Sequence, residues 1–298
     1  MADWFEGFEA GEHEVNGVQI FARRGGRAGA PPLLLLHGFP QTHALWQRVA
    51  QTLAPHFQLV LPDLRGYGDS AKPRGEPDHA TYSKRTMAAD MAALMRSLGH
   101  ERYFVCGHDR GGRVAHRLAL DHAHAVAKLV VLDIVPTVDV YAATDMQLAT
   151  AYYHWFHLIQ PSPLPELMIG ADARHYLRTK LGGWGAKGLT HIEPEALAEY
   201  ERCFFRPEAI HAMCEDYRAG ASIDLVHDNA SRAAGEKVRC DLLALWGERG
   251  VVQRLFEPLR LWQAQCAGTV SGRAVPAGHF IPEELPQETA AALGEFFA

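Results

Sequence analysis

One pentapeptide constrains this 298-residue chain more than any other feature: Gly107-His108-Asp109-Arg110-Gly111. It follows the apolar run Tyr103-Phe104-Val105-Cys106 and precedes a helical pattern near Val114 to Leu120. Small residues around a central reactive side chain permit a sharp, strained turn from strand to helix. That turn lifts the central side chain clear of the sheet and sets it at a helix N-terminus, where the dipole and free N–H groups favour a carboxylate. A plain helix N-cap is the alternative reading of Asp109. The residues described below favour a nucleophile.

The rest of the chain has the rhythm such a turn requires. Val15-Asn16-Gly17-Val18 predicts a tight hairpin. Leu33 to Leu36, Phe57 to Leu61, Leu129 to Leu132, Asp241 to Trp246 and Thr269 to Val275 read as further strands. Unbroken apolar runs suit strands covered on both faces. Ser83 to Leu98 has helical period, with Met87, Met91, Leu94 and Met95 on one side and Gly99 after it. This alternation predicts an α/β protein with a mainly parallel sheet and helices on both faces. Residues 136–224 break the rhythm: they are aromatic-rich, helical in pattern and without a convincing strand. They read as a helical cap inserted into a core formed by residues 1–135 and 225–298.

An aspartate nucleophile selects a reaction class. A carboxylate suits displacement at saturated carbon, giving an alkyl ester that a second, base-assisted step must hydrolyse. His279, in Ala277-Gly278-His279-Phe280, stands after the last strand, as the order nucleophile, acid, histidine demands. The acid has two candidate places. Gly250 occupies the position where a WGxxD pattern would put Asp, which points to Asp133 at the end of Leu129 to Leu132. Glu248 is the alternative. An acid there orients the histidine and stabilises its cation. His37-Gly38-Phe39-Pro40 follows a central strand, and the N–H groups of Phe39 and Arg110 form the expected oxyanion hole.

The segments Gly107 to Arg113, Leu132-Asp133-Ile134, Tyr153-His154-Trp155, Cys214-Glu215-Asp216-Tyr217-Arg218-Ala219-Gly220 and Gly278-His279-Phe280 carry a resemblance. Together they resemble the fluoroacetate (haloacetate) dehalogenases, within the epoxide hydrolase and haloalkane dehalogenase group of the α/β-hydrolase superfamily. The likeness spans core and cap. It implies an α/β-hydrolase fold and hydrolysis of a haloacetate to glycolate and halide. Arg110 and Arg113 lie three residues apart, so both can face the pocket beside Asp109. Two guanidiniums there call for an anion, which a substrate carboxylate supplies; ion pairing with the cap is the alternative. His154-Trp155 alone would read as cap packing. The resemblance implies that His154, Trp155 and Tyr217 hold the departing halide, and Trp184 is a candidate lining residue. It also implies a homodimer. An epoxide hydrolase is the rival reading, with Tyr141, Tyr152, Tyr153, Tyr176 and Tyr200 available in the cap. A ligand-binding scaffold is disfavoured because every triad position is filled.

Composition bears on partners and location. Lys and Arg total 29 against 35 Asp and Glu, with no basic stripe, so nucleic acid is not an expected partner. The five cysteines lack CxxC spacing, which argues against a zinc site or a disulfide framework. The N-terminal sequence MADWFEGFEAGEHEV lacks the charge and apolar pattern of a secretory signal, and no apolar run approaches membrane-spanning length. A cytoplasmic enzyme needing neither cofactor nor metal is the expectation.

Overall fold

The computed structural model describes residues 4–298. Eight strands form one sheet: β1 (Phe8–Val15), β2 (Val18–Gly26), β3 (Pro32–Leu36), β4 (Gln58–Pro62), β5 (Tyr103–His108), β6 (Val126–Leu132), β7 (Leu242–Gly247) and β8 (Val270–Val275). Their order is β1-β2-β4-β3-β5-β6-β7-β8. β1 pairs antiparallel with β2, and β2 with β4; every other pairing is parallel. At the hairpin, Asn16 and Gly17 both have positive φ (51° and 72°), the backbone that a two-residue turn between twisted strands needs.

The central strands alternate between two cores because side chains alternate along a strand. Leu34, Leu36, Val105, Leu129 and Val131 join one apolar cluster. Leu33, Leu35, Cys106, Val130 and Leu132 join the other. Helices Lys84–Ser97 and Arg110–Asp121 supply residues to the first; Gln47–Leu53 and Pro286–Phe297 supply residues to the second. Coverage on both faces is what made the runs continuous rather than alternating.

Two local features depart from the sequence expectation. The helix after the elbow begins at Arg110, three to four residues before the pattern suggested. Its glycines mark crowding, not loop: a Cβ on Gly111 would stand 2.3 Å from the His37 carbonyl oxygen. In addition, helix Ile223–Ala233 runs across the expected boundary between 224 and 225. Between β6 and β7 the chain is helical from Thr137 to Ala233, with no strand among the described residues. Helix Pro207–Gly220 lies centrally there, against Tyr153–Leu158 and Leu164–Ala171.

The parallel strands deliver their C-terminal ends to one edge. β3 has β4 on one side and β5 on the other, and a crevice opens where successive connections diverge in this way. A buried carboxyl ties the walls of that region together. Glu283, in helix Ile281–Glu284, accepts from Tyr200 Oη at 2.8 Å and from Gln41 Nε2 at 2.6 Å. Burial pushes its pKa up to about 8. The Gln41 Oε1 has no protein partner, and exchanging the amide O and N would let a protonated Glu283 donate to it.

A carboxyl with a raised folded pKa favours folding while protonated, fully below its unfolded pKa, and that contribution is lost as pH rises through the folded value. Melting temperature should therefore fall between about pH 4.5 and about pH 8 in the native protein. The Glu283→Gln variant should lose this component of the slope and melt higher than the native protein at pH 8. Thermal melts at matched ionic strength check this.

Candidate active site

The triad and oxyanion candidates sit at strand ends. His37 to Phe39 follow β3, Asp109 follows β5, Asp133 follows β6, Gly247 to Gly250 end or follow β7, and His279 follows β8. Asp109 has φ 47° and ψ −117°, a conformation that side-chain-bearing residues rarely adopt. Asp133 and Trp184 share a positive φ (52° each). Backbone strain thus concentrates at this edge.

Asp109 does not cap its helix; its side chain makes no capping hydrogen bond. Instead Oδ1 accepts from the Phe39 N–H at 2.9 Å. Gly38 permits this approach, since a Cβ there would lie 2.5 Å from Asp109 Cβ and 2.8 Å from Oδ1. Oδ2 faces His279 Nε2 at 3.9 Å. On its other side, His279 Nδ1 meets Asp133 Oδ2 at 2.6 Å, and Asp133 Oδ1 accepts from the Gly247 N–H at 3.0 Å. The structure thus brings Asp109, His279 and Asp133 together in line. Glu248 is exposed and plays no part in it. A Cβ on Gly250 would lie 3.2 Å from Asp133 Oδ1, so positions 133 and 250 converge on one space and a single acid fills it.

The electrostatics match the geometry. Burial acts to raise the Asp109 pKa, yet the charges of His279, Arg113 and Arg110 hold it below the ordinary value. Burial acts to lower His279, yet its hydrogen bond to Asp133 and the Asp133 charge raise it. Asp109 is therefore a carboxylate at neutral pH, and His279 a base stronger than a free imidazole. His108, which sequence reasoning passed over, donates from Nε2 to the His279 carbonyl at 2.8 Å. Burial, with the nearby His279 charge, lowers its pKa to about 3, so it stays neutral. Its signal was its place inside the elbow.

The arginines are brought together but are not equivalent. Arg110 is fully buried and grips Asp216 in a fork, Nε to Oδ2 at 2.9 Å and Nη2 to Oδ1 at 2.6 Å. Its Nη1 has no protein partner. Arg113 donates from Nη1 to the Val135 carbonyl at 3.1 Å and to Thr137 Oγ1 at 3.0 Å. Its Nε has no protein partner. Asp216 also binds Lys84 Nζ and accepts from Tyr67 Oη at 2.6 Å. Burial opposes ionisation of Asp216, but Arg110 and Lys84 drive its pKa down. Arg110 thus makes the ion pair with helix Pro207–Gly220 that was the alternative reading, while its Nη1 is left without a protein partner. Asp216 stood in the quoted motif without a role, because only the fold shows what it faces.

The aromatic candidates complete the wall. The Arg110 guanidinium carbon lies 4.2 Å from the Tyr217 ring centre, and that of Arg113 lies 4.7 Å from the Trp155 ring centre. His154 stacks on Phe39 with ring centres 5.9 Å apart, and lies 5.5 Å from Tyr217. Trp184 bridges 4.7 Å to His154 and 5.2 Å to His279, and its carbonyl accepts from the His279 N–H at 3.0 Å. His154 Nδ1 and Tyr217 Oη are buried with no protein partner. Burial, with the Lys180 and His279 charges, pushes His154 far below its usual pKa, so it is neutral. Among the described residues, Arg110, Arg113, His154 and Tyr217 thus each carry a buried polar atom without a protein partner.

Among the described residues, one group has metal-ligand proximity: Asp69, Glu199 and Cys203. Arg202 already bridges its two carboxylates, at 2.5 and 2.6 Å. Among the same residues no helix is long and apolar enough to cross a membrane.

Removing the Asp216 charge leaves Arg110 and Lys84 buried with one anion fewer. Breaking a buried pair costs roughly 3–5 kcal/mol, so Asp216→Asn should lower the free energy of unfolding by that order. Urea titration followed by circular dichroism measures it; a loss under about 0.5 kcal/mol, the level of an ordinary surface change, would contradict this account.

Comparisons with known proteins agree with this geometry. A family model described as alpha/beta hydrolase fold matches residues 31–284. A fluoroacetate dehalogenase from Burkholderia sp is 46% identical over 294 residues, covering 99% of this chain and 95% of the relative. A soluble epoxide hydrolase from Corynebacterium sp. (strain C12) is 34% identical, covering 90% of each chain. The solved structure of an alpha/beta hydrolase from Nostoc sp PCC 7120 superposes with a TM-score of 0.95 at 50% identity, covering 99% of each chain. The likeness to fluoroacetate dehalogenases anticipated from separate motifs thus extends over nearly the whole length, and the chain belongs to the α/β-hydrolase fold family.

Proposed function

We propose that this protein is a hydrolytic dehalogenase of short 2-haloacids, acting on haloacetate, including fluoroacetate, through an ester on Asp109. The observation that carries the reading is the pair of buried guanidiniums, each with one nitrogen lacking a protein partner, whose charges act on an ionised, strained aspartate. Arg110 Nη1 and Arg113 Nε bind the substrate carboxylate by charge-assisted hydrogen bonds. His154, Trp155 and Tyr217 receive the halide. A neutral substrate would leave the guanidinium donors unmatched.

The two carboxylate oxygens of Asp109 take different roles. Oδ2 attacks the halogen-bearing carbon; the C–O bond forms as the carbon–halogen bond breaks and the halide leaves with its electron pair. Oδ1 becomes the ester carbonyl oxygen, already 2.9 Å from the Phe39 N–H. His279 Nε2 then takes a proton from water as the water oxygen adds to Cγ. The oxyanion rests on the N–H groups of Phe39 and Arg110. Collapse breaks the Cγ–Oδ2 bond, and glycolate leaves with Oδ2 and the proton from His279. The second proton of water is released as the Asp109 carboxylate re-forms. Asp133 holds the imidazolium in place throughout. Trp184, against both His154 and His279, lines the pocket.

The epoxide hydrolase reading keeps one specific support. Tyr152 stacks on Trp155 with ring centres 5.7 Å apart, and its pKa is raised first by burial and then by Asp133 and Asp109. With Tyr217 it offers two hydroxyls near the nucleophile. Tyr200 is bound to Glu283 and Tyr153 is 46% exposed, so neither serves. The paired guanidiniums weigh against an uncharged epoxide. We also infer that residues 136–224 act as the cap, that the enzyme works as a homodimer and that it is cytoplasmic; the first rests on the helical run between β6 and β7, the second on resemblance, and the third on five free thiols.

The direct test combines fluoride-electrode assays on fluoroacetate with parallel chloro- and bromoacetate assays, and peptide mass spectrometry of His279→Ala. Halide release by the native enzyme and a glycolyl ester trapped on the Asp109 peptide of the variant are expected. A halide burst without that adduct, or styrene oxide turnover without halide release, would overturn the reading. Asp133→Asn should slow ester hydrolysis by about 10⁴-fold, the cost of the corresponding change in a serine triad. Neutral His279 is the base, and its pKa is raised above 6.5. The acid limb of the native rate should therefore lie above that value and move to lower pH in Asp133→Asn. Single-turnover pH profiles read both effects.

A further inference from the structure

A lysine ammonium without a carboxylate partner stands just outside the His154 wall. Lys180, in helix Ala173–Leu181, is 4% exposed. Among the described residues it has no hydrogen-bond acceptor and no carboxylate within ion-pair distance, and burial alone lowers its pKa, to about 8. It is still a cation at neutral pH. Its Nζ lies 3.7 Å from the ring centre of Tyr153, 5.3 Å from Trp184 and 5.5 Å from Tyr176. Three aromatic faces offset only part of the cost of removing an ammonium from water.

The surroundings supply more donors and no free anion. Tyr176 Oη and both ring nitrogens of His157 are buried with no protein partner. Burial first, and the Lys180 charge second, push His157 below its usual pKa, so it too is neutral. Glu166, the carboxylate that acts on His157, is already held by Arg218 and His211. The order in space is also informative. Trp184 touches His154 on one side and Lys180 on the other. Tyr153, under the Lys180 ammonium, is 46% exposed. Lys180 therefore lies between the sealed His154 wall and the outer surface.

We propose that Lys180, with Tyr176 and His157, forms a second anion site that takes up one monovalent halide on its way from the inner pocket to solvent. The source of that halide rests on the dehalogenase reading; the existence of the site does not. A small, singly charged anion suits it, because one ammonium provides the only positive charge and the remaining groups are neutral donors. The site separates the halide from the charged ester intermediate before the cap must open to water.

Bromide soaks with anomalous diffraction test the site. The native protein should show a bromide against Lys180 Nζ. Lys180→Met should lose that peak and keep any peak between Trp155 and Tyr217, whereas Lys180→Arg should keep both. No peak beside Nζ at bromide concentrations that fill the inner pocket, or a peak that survives in Lys180→Met, overturns the proposal. Rapid quench adds a kinetic readout: ester formation in Lys180→Met should stay within about twofold of the native rate. Steady-state turnover should fall about tenfold, the effect of losing some 1.4 kcal/mol of charge attraction. Equal loss in both would place Lys180 in the bond-breaking step and overturn the exit role. If the native enzyme releases no halide from any haloacetate, the dehalogenase reading fails, while the bromide maps still decide the anion site.

Discussion

A carboxylate that is 7% exposed must stay ionised if it is to attack carbon, and the arrangement around Asp109 follows from that demand. Burial alone would protonate it. The opposing charges come from His279, Arg113 and Arg110, and they prevail. Yet cations placed for that purpose are themselves buried and need anions. Asp133 supplies one for His279, and Asp216 supplies one for Arg110. Arg113 has only the Val135 carbonyl and a hydroxyl, and burial beside Arg110 lowers its pKa. The pocket thus holds a cation whose charge no carboxylate hydrogen-bonds. A substrate that brings a carboxylate completes the balance.

Asp216 shows how the helical run between β6 and β7 enters this balance. It lies on helix Pro207–Gly220, and it joins Arg110 and Tyr67 of the core to Lys84 at the start of helix Lys84–Ser97. Lys84 also approaches Asp224 at 3.3 Å. A buried network of this kind adds little net stability compared with apolar packing, but it is costly to break and fixes one geometry. Here it fixes the orientation of the fork so that Nη1, not Nε or Nη2, is left for a ligand. Helix Pro207–Gly220 is thereby aligned on Arg110, Tyr67 and Lys84 by the residue that pairs with the Arg110 charge.

Strain serves the same end. Asp109, Asp133 and Trp184 all hold a positive φ. Each turns a side chain or carbonyl in a direction that a regular strand or helix would not allow. Asp109 and Asp133 follow the buried ends of β5 and β6, and Trp184 packs on His154 and His279; such strain persists only where the surroundings over-determine it. Trp184 shows the economy of this: its ring separates His154 from His279 while its carbonyl holds the His279 backbone.

Much of this was legible in the sequence, and the reasons are local. Continuous apolar runs fixed the strands, because burial on both faces leaves no polar alternation. The elbow fixed Asp109, because only small neighbours tolerate so sharp a turn. Chain order pointed to His279, and Gly250, standing where a WGxxD pattern would put Asp, pointed to Asp133 over Glu248. What the sequence could not contain was distance between residues remote in the chain. That Asp216 would take up Arg110 from 106 positions away, that Glu283 would join Gln41 and Tyr200, and that Lys180 would be caged without an anion were decided by packing alone. Local pattern determines which element a residue occupies and which way it faces. Only the folded chain decides which charge meets which, because pairing depends on where long connections return, and no periodicity records that.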